Sequence, residues 1–180
     1  DKANALTSKA FSIFKDDKSS FLMFSSDQSL LFSENLFVNQ DGVVPSANSV
    51  MCQNLFLLSH HTGNRDFFNI GKSMLNEIST QLISNSLDYM NWLSVSLEYY
   101  DSFYEVVISG KKSIEMAKEI NSIYLPNILI AASKKDSEKY LLKNRYIKGE
   151  NLIYVCVNNT CKYPVSTVDE ALKLITNNNE

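Results

Sequence analysis

The hydrophobic period changes once along this chain, near Phe103, and that change limits the folds open to it. Before Phe103, apolar residues recur at spacings of three and four. Phe67, Ile70, Met74, Ile78 and Leu82 make one stripe, and Leu87, Met90, Leu93 and Leu97, with Phe103 beyond them, make another. Such spacing puts side chains on one face of an α-helix. After Phe103 the apolar residues come in short unbroken runs, Val106–Ile108, Ile128–Ile130 and Ile153–Val155. Runs that are apolar at every position suit strands buried on both faces. The chain therefore divides into a helical part, 1–103, and a small sheet-containing part, 104–180, in an α+β arrangement.

Capping and turn residues place the elements. A first helix covers Ala3–Phe14. Phe21–Phe24 and Leu30–Phe32 flank the polar Ser25–Ser29, which predicts a β-hairpin. Asn35–Pro45 contains Asp41-Gly42 and a proline, so it is a loop. The next helix starts near Ser46 or Asn48, both good N-cap types, and ends at Gly63. Asn64 caps the following helix, and a further one starts at Ser86. Short connections between such helices favour antiparallel hairpins. In the second part, Glu105–Gly110, the amphipathic Lys111–Tyr124 and Asn127–Ala132 spell strand, helix, strand, with Pro126 stopping the helix. That order predicts a parallel βαβ unit and a mostly parallel three-stranded sheet completed by Leu152–Val157. Ser133–Glu150 is a polar excursion, and Thr167 and Glu170 have capping-box spacing ahead of a final helix, Val168–Ile175.

Charge and cysteine usage narrow the partners. A net charge of -3 offers no basic excess for a phosphate backbone, so nucleic acid is not an expected partner. No apolar run reaches the roughly 20 residues of a membrane span. The three cysteines, Cys52, Cys156 and Cys161, are odd in number and irregular in spacing, which is no disulfide framework. Cys156 and Cys161 also lack zinc-site spacing, and His60 and His61 are the only histidines. We expect reduced thiols in a cytoplasmic protein, with no metal and no cofactor. The first residue is not Met and the chain opens inside a helix, so we expect the C-terminal part of a longer chain.

Motifs of chemistry are few. Gly71-Lys72-Ser73 resembles the end of a phosphate-binding loop, but position 66 is Asp66 rather than Gly and the segment lies mid-helix. Gly110-Lys111-Lys112-Ser113 follows a strand and opens a helix, yet has a single Gly. His60 and His61 point about 100° apart on a helix and cannot face each other. Asp88, Glu98, Asp101 and Glu105 read as a charged outer face rather than an acid–base pair. The segment Asp41-Gly42-Val43-Val44-Pro45-Ser46-Ala47-Asn48-Ser49 is polar and leads into a helix N-terminus. Loops of that kind place side chains at the rim of a helical scaffold, or spend them on their own backbone.

That segment resembles the Asp-Gly-x-x-Pro-Ser-Gly-Asn-Ser stretch of the bacterial thioredoxin-domain-containing family related to spermatogenesis-associated protein 20. The resemblance runs on through Asn54-Leu55, Thr62-Gly63, Glu105–Gly110 and Leu125-Pro126-Asn127. It ends at Tyr154-Val155-Cys156 and Thr160-Cys161 with Pro164. It implies a thioredoxin-like domain upstream and an (α/α)6 toroid similar to that of N-acylglucosamine 2-epimerases. This chain would hold the last helical hairpins of the toroid and the small α/β end. Asp41, Ser46 and Asn48 would line the rim of its central cavity and bind a small polar or sugar-like ligand. One residue departs from the pattern: the family Gly between Ser and Asn is Ala47 here, which a position needing positive φ would not suit. Two functions stay open, a sugar-binding or sugar-active part of a toroid and a non-catalytic scaffold that presents a partner-binding surface.

Overall fold

A computed structural model describes residues 2–25, 37–157 and 160–176. It divides the chain into two compact units, Asp1–Tyr100 and Asp101–Glu180.

The first unit opens with helix α1 (Lys2–Phe14) and then packs α2 (Ala47–Thr62), α3 (Arg65–Ser84) and α4 (Met90–Tyr100), with a 3-10 turn over Ser86–Tyr89 leading into α4. The caps are those the sequence predicts. Ser46 Oγ accepts from the Ser49 amide at the start of α2, and Gly63 closes it in the left-handed region at φ 71°. Asn64 accepts from the Asp66 amide to start α3. The α3 stripe faces the core as expected: Phe67, Met74 and Ile78 are buried, and Ile70 and Leu82 pack against them. Their partners are Cys52 and Leu55 of α2 and Trp92 and Val95 of α4.

Helix α4 does not bury the stripe expected of it. Leu87, Met90 and Leu97 are 82%, 55% and 66% exposed, while Trp92 and Val95 are fully buried. Two overlapping apolar faces run along this helix, and periodicity does not rank them. Trp92 decides the outcome, because its indole is both the largest apolar group and a donor that reaches the Asn39 carbonyl at 2.7 Å. The expected hairpin is replaced in its first arm by a single antiparallel bridge between Leu22 and Lys15. Its second arm, Leu30–Phe32, lies outside the described residues.

The second unit is a four-stranded mixed sheet in the order β2-β1-β3-β4. The strands are β1 (Tyr104–Ser109), β2 (Ile128–Ser133), β3 (Leu152–Val157) and β4 (Thr160–Cys161). As expected, β1 and β2 are parallel, with Val106 beside Ile130, and α5 (Ser113–Asn121) connects them. The mostly parallel sheet is not found, since β3 pairs antiparallel to β1, with Val106 beside Val155, and β4 is antiparallel to β3. The reason lies in the connection. A parallel third strand needs a crossover, normally a helix on one face, and 134–151 forms only turns. Tyr104, Val106, Ile108, Ile153 and Val155 pack under α5 and α6 (Val168–Thr176) on one face. On the other face Val107, Tyr154 and Cys156 pack with Leu141 from the excursion, which thus covers the sheet. Thr167 and Glu170 make the predicted capping box, the Thr167 hydroxyl donating to Glu170 at 2.8 Å. Among the described residues no helix is long and apolar enough to cross a membrane.

Candidate functional site

Asp41, Ser46 and Asn48 come together at the start of α2, where Asp41 and Asn48 bind distant backbone and Ser46 caps the helix locally. The Asp41 carboxylate takes three hydrogen bonds. Oδ1 accepts from the Ser46 amide at 2.8 Å and the Ser49 hydroxyl at 3.1 Å, and Oδ2 accepts from the Asn91 amide at 2.8 Å. Ser46 is the N-cap of α2 and Asn91 lies in the first turn of α4. One carboxylate therefore serves two helix N-termini, where orphan amides and the macrodipole both favour negative charge. The Asp41 amide in turn donates to the Asp88 carbonyl.

Asn48 is 2% exposed and ties in the segment before the loop. Its Oδ1 accepts from the Leu22 amide at 2.8 Å, and its Nδ2 donates to the Leu22 carbonyl at 3.0 Å and to Asn39 Oδ1 at 2.9 Å. Ser46 is 5% exposed, with Oγ engaged as the helix cap. Ser49, fully buried beside them, accepts from Asn91 Nδ2 at 2.9 Å. Ala47 sits in the first turn of α2, and Asn144 is the one non-glycine residue with positive φ among the described residues. Position 47 thus needs no positive φ.

Beside this network lies an open depression of about 330 Å³, lined by Phe37, Val38, Asn39, Gln40, Ile78, Gln81 and Tyr89. Asn39 belongs to both: its side chain holds Asn48 and its carbonyl holds Trp92. The volume falls at the lower end of the range for small-ligand sites, and aromatic rings with side-chain amides are a usual lining. Of the sequence-predicted residues, Asn48 meets this wall, through Asn39. The wall itself carries no motif, and only the placement of 37–40 against α3 reveals it.

Within the first unit, Asp88 and Glu98 do not form an acid–base pair. Asp88 accepts from Asn85 Nδ2, and Glu98 stands ten residues on, about 15 Å or more along the helix axis. Asp101 accepts from the Ser102 amide, and Glu105 is buried in β1. Glu98 is not on an outer charged face. Burial raises its pKa, against the opposing effects of the Gln53 amide, which donates to Oε1 at 2.8 Å, and of His60. Its Oε2 is buried without a hydrogen-bond partner. Reading Trp92, Val95 and Tyr99 as the core face of α4 would have put Glu98 at the edge of that face. His60 packs on Phe56 with ring centroids 4.5 Å apart, and His61 is exposed.

Cys156 and Cys161 are not the reduced thiols expected; they form a disulfide with an S–S distance of 2.07 Å. The odd number and irregular spacing of the cysteines argued against a disulfide framework, but spacing along the chain does not show which strands pair. The antiparallel ladder of β3 and β4 makes the two residues register partners, and this brings the sulfurs together. Cys52 is the free cysteine and is buried. Among the described residues, no group of three or more His, Cys, Asp or Glu could hold a metal ion. Gly110, with φ 113°, abuts the Glu150 carbonyl, and Asn151 Oδ1 accepts from the Lys112 amide at 2.8 Å.

No family model matches the chain. The chain is 25% identical over 148 residues to spermatogenesis-associated protein 20 of Homo sapiens, an alignment covering 76% of this chain and 19% of that protein. It is 24% identical over 148 residues to the proteins of the same name from Mus musculus and Rattus norvegicus. The chain thus spans about a fifth (19%) of the length of the curated relatives it matches, and it is similar over most of its own length to one part of spermatogenesis-associated protein 20.

Proposed function

We propose that this chain is a non-catalytic scaffold sector of a longer thioredoxin-domain-containing protein, supplying helical hairpins to an α/α toroid and a small α/β end. The observation that carries this reading is the unpartnered stripe of Leu87, Met90 and Leu97, at 82%, 55% and 66% exposure. A helix buries its periodic apolar face against something. Here the face buried within the chain is the other one, of Trp92 and Val95, so the second face fits a further helix of the parent protein. The saturated network of Asp41, Ser46 and Asn48 agrees, since it joins elements of the scaffold to one another. Leu97→Lys tests it. In the isolated chain the substitution leaves stability within about 0.5 kcal/mol, as for an exposed site. In the full-length protein it destabilises by several times that amount. Equal, small effects in both would refute the scaffold reading.

A second reading has one observation in its favour, the depression at Phe37, Gln40, Gln81 and Tyr89. In that reading the toroid holds a small polar or sugar-like ligand, the aromatic rings stacking on it and the amides hydrogen-bonding to it. Titration of the full-length protein with neutral monosaccharides, read by calorimetry for the parent and for Gln81→Ala and Tyr89→Ala, decides it. Binding lost in both variants supports a ligand site, and no heat with any sugar removes it.

A further inference from the structure

We infer that Cys156 and Cys161 form a reversible thiol–disulfide redox site, with Arg145 poised to stabilise the Cys161 thiolate. Three observations on the face of the sheet opposite α5 and α6 carry this. First, Arg145 Nη2 lies 3.0 Å from Cys161 Sγ. A guanidinium at that distance adds little to an intact disulfide, whose sulfurs are neutral and weak acceptors. It favours a thiolate strongly. Second, Arg145 is held in place. Its carbonyl accepts from the Ser109 hydroxyl at 2.7 Å, and its guanidinium lies 4.8 Å from the centre of the Tyr154 ring. Third, both cysteines line a cavity of about 160 Å³ together with Glu105, Tyr140 and Arg145, so the bond has a space beside it.

The two sulfurs are unequal. Cys156 is 1% exposed in the central part of the sheet, and Cys161 is half-buried on the edge strand. This sets the order of the exchange with a dithiol reductant. A reductant thiolate attacks Cys161 Sγ, the S–S bond breaks, and its electron pair passes to Cys156 Sγ, which takes up a proton. The second thiol of the reductant, once deprotonated, attacks its partner sulfur in the mixed disulfide. Cys161 then leaves as a thiolate beside Arg145. Two electrons pass from the dithiol, which ends as a disulfide. In the reverse reaction the Cys156 and Cys161 thiols are oxidised back to their disulfide, and the partner's disulfide takes the two electrons and is reduced to its dithiol. Glu105, the register partner of Cys156 across β1 and β3, lines the same cavity, and its carboxylate opposes a thiolate there. Arg145 and Glu105 are both charged residues of the cavity lining, and they act on the thiol in opposite directions.

The test uses the whole chain. Dithiothreitol is added under native conditions, free thiols are trapped at intervals and counted by mass, and near-ultraviolet dichroism follows the fold. Opening of the bond with the fold retained is expected. The rate of Cys161 alkylation against pH is then measured in Cys156→Ser and in Cys156→Ser with Arg145→Gln or Arg145→Lys. Loss of the guanidinium raises the midpoint by about one unit, a roughly tenfold slower alkylation at neutral pH, and lysine restores part of it. A disulfide that opens only as the chain unfolds is a structural staple and overturns the inference. So does a Cys161 midpoint in Cys156→Ser at or above the ordinary free-thiol value of about 8.5, which remains decisive even if the Arg145 variants fail to fold.

Discussion

Asn48→Ala should cost the first unit about 2–3 kcal/mol. The side chain makes three hydrogen bonds, to the Leu22 amide, the Leu22 carbonyl and Asn39 Oδ1, at 2.8, 3.0 and 2.9 Å. A hydrogen bond contributes about 0.5–1.5 kcal/mol net, and more when its removal leaves a buried partner unsatisfied. Three bonds would reach about 4 kcal/mol if no water replaced them. Leu22 is only half-buried, so solvent recovers part of that sum. The assay is urea unfolding followed by Trp92 fluorescence. Trp92 is the chain's single tryptophan, is fully buried, and donates to the carbonyl of the same Asn39. It therefore reports the unit in question. For a unit of about 100 residues, the loss corresponds to a melting temperature roughly 10–20 °C lower. Asn48→Asp should be no milder, because it keeps the acceptor but sets a carboxylate against two acceptor oxygens. A loss below about 0.5 kcal/mol for Asn48→Ala, the scale of an uninvolved surface site, would refute this tethering role.

Gly71→Ala should destabilise the same unit by about 1–3 kcal/mol, as overpacking does, because a Cβ there would meet the Tyr99 hydroxyl. Tyr99 is poorly placed to yield: its hydroxyl donates to the Cys52 carbonyl and its ring packs on both Phe56 and Phe68, with centroids at 4.7 and 5.0 Å. Burial pushes the Cys52 thiol up to about 12 from 9.0, so alkylating agents should modify it only on unfolding. A folded value above the unfolded one means stability held below about pH 9 and lost as pH rises through about 12, and Cys52→Ala should remove that alkaline loss. The raised Glu98 pKa has the same sign, so its stabilising share is complete below the unfolded value of 4.5 and fades as the carboxyl ionises. Glu98→Gln should therefore gain on the parent chain as pH rises from the acid range to neutral in parallel denaturation curves.

Much of the local structure was legible in the residues. Ser46, Gly63 and Asn64 mark helix ends because capping is settled within a few residues of the end itself. The stripe of α3 and the all-apolar strands carry their periods openly, and strand, helix, strand is enough to make β1 and β2 parallel. Other outcomes turned on contacts between segments far apart in the chain. Periodicity offered α4 two faces, and the Asn39 carbonyl under Trp92 selected one. The direction of β3 followed from a connection too irregular to cross over, and only that antiparallel ladder made Cys156 and Cys161 partners. The polar loop was visible as a cluster of Asp, Ser and Asn, but a side chain's role depends on what it meets. Asp41 meets an amide 50 residues away and Asn48 meets backbone 26 residues away. Local propensity and period are properties of a short stretch of chain. The satisfaction of a buried polar group belongs to the whole packed unit, and for that reason only the tertiary structure shows which partners Asp41 and Asn48 meet.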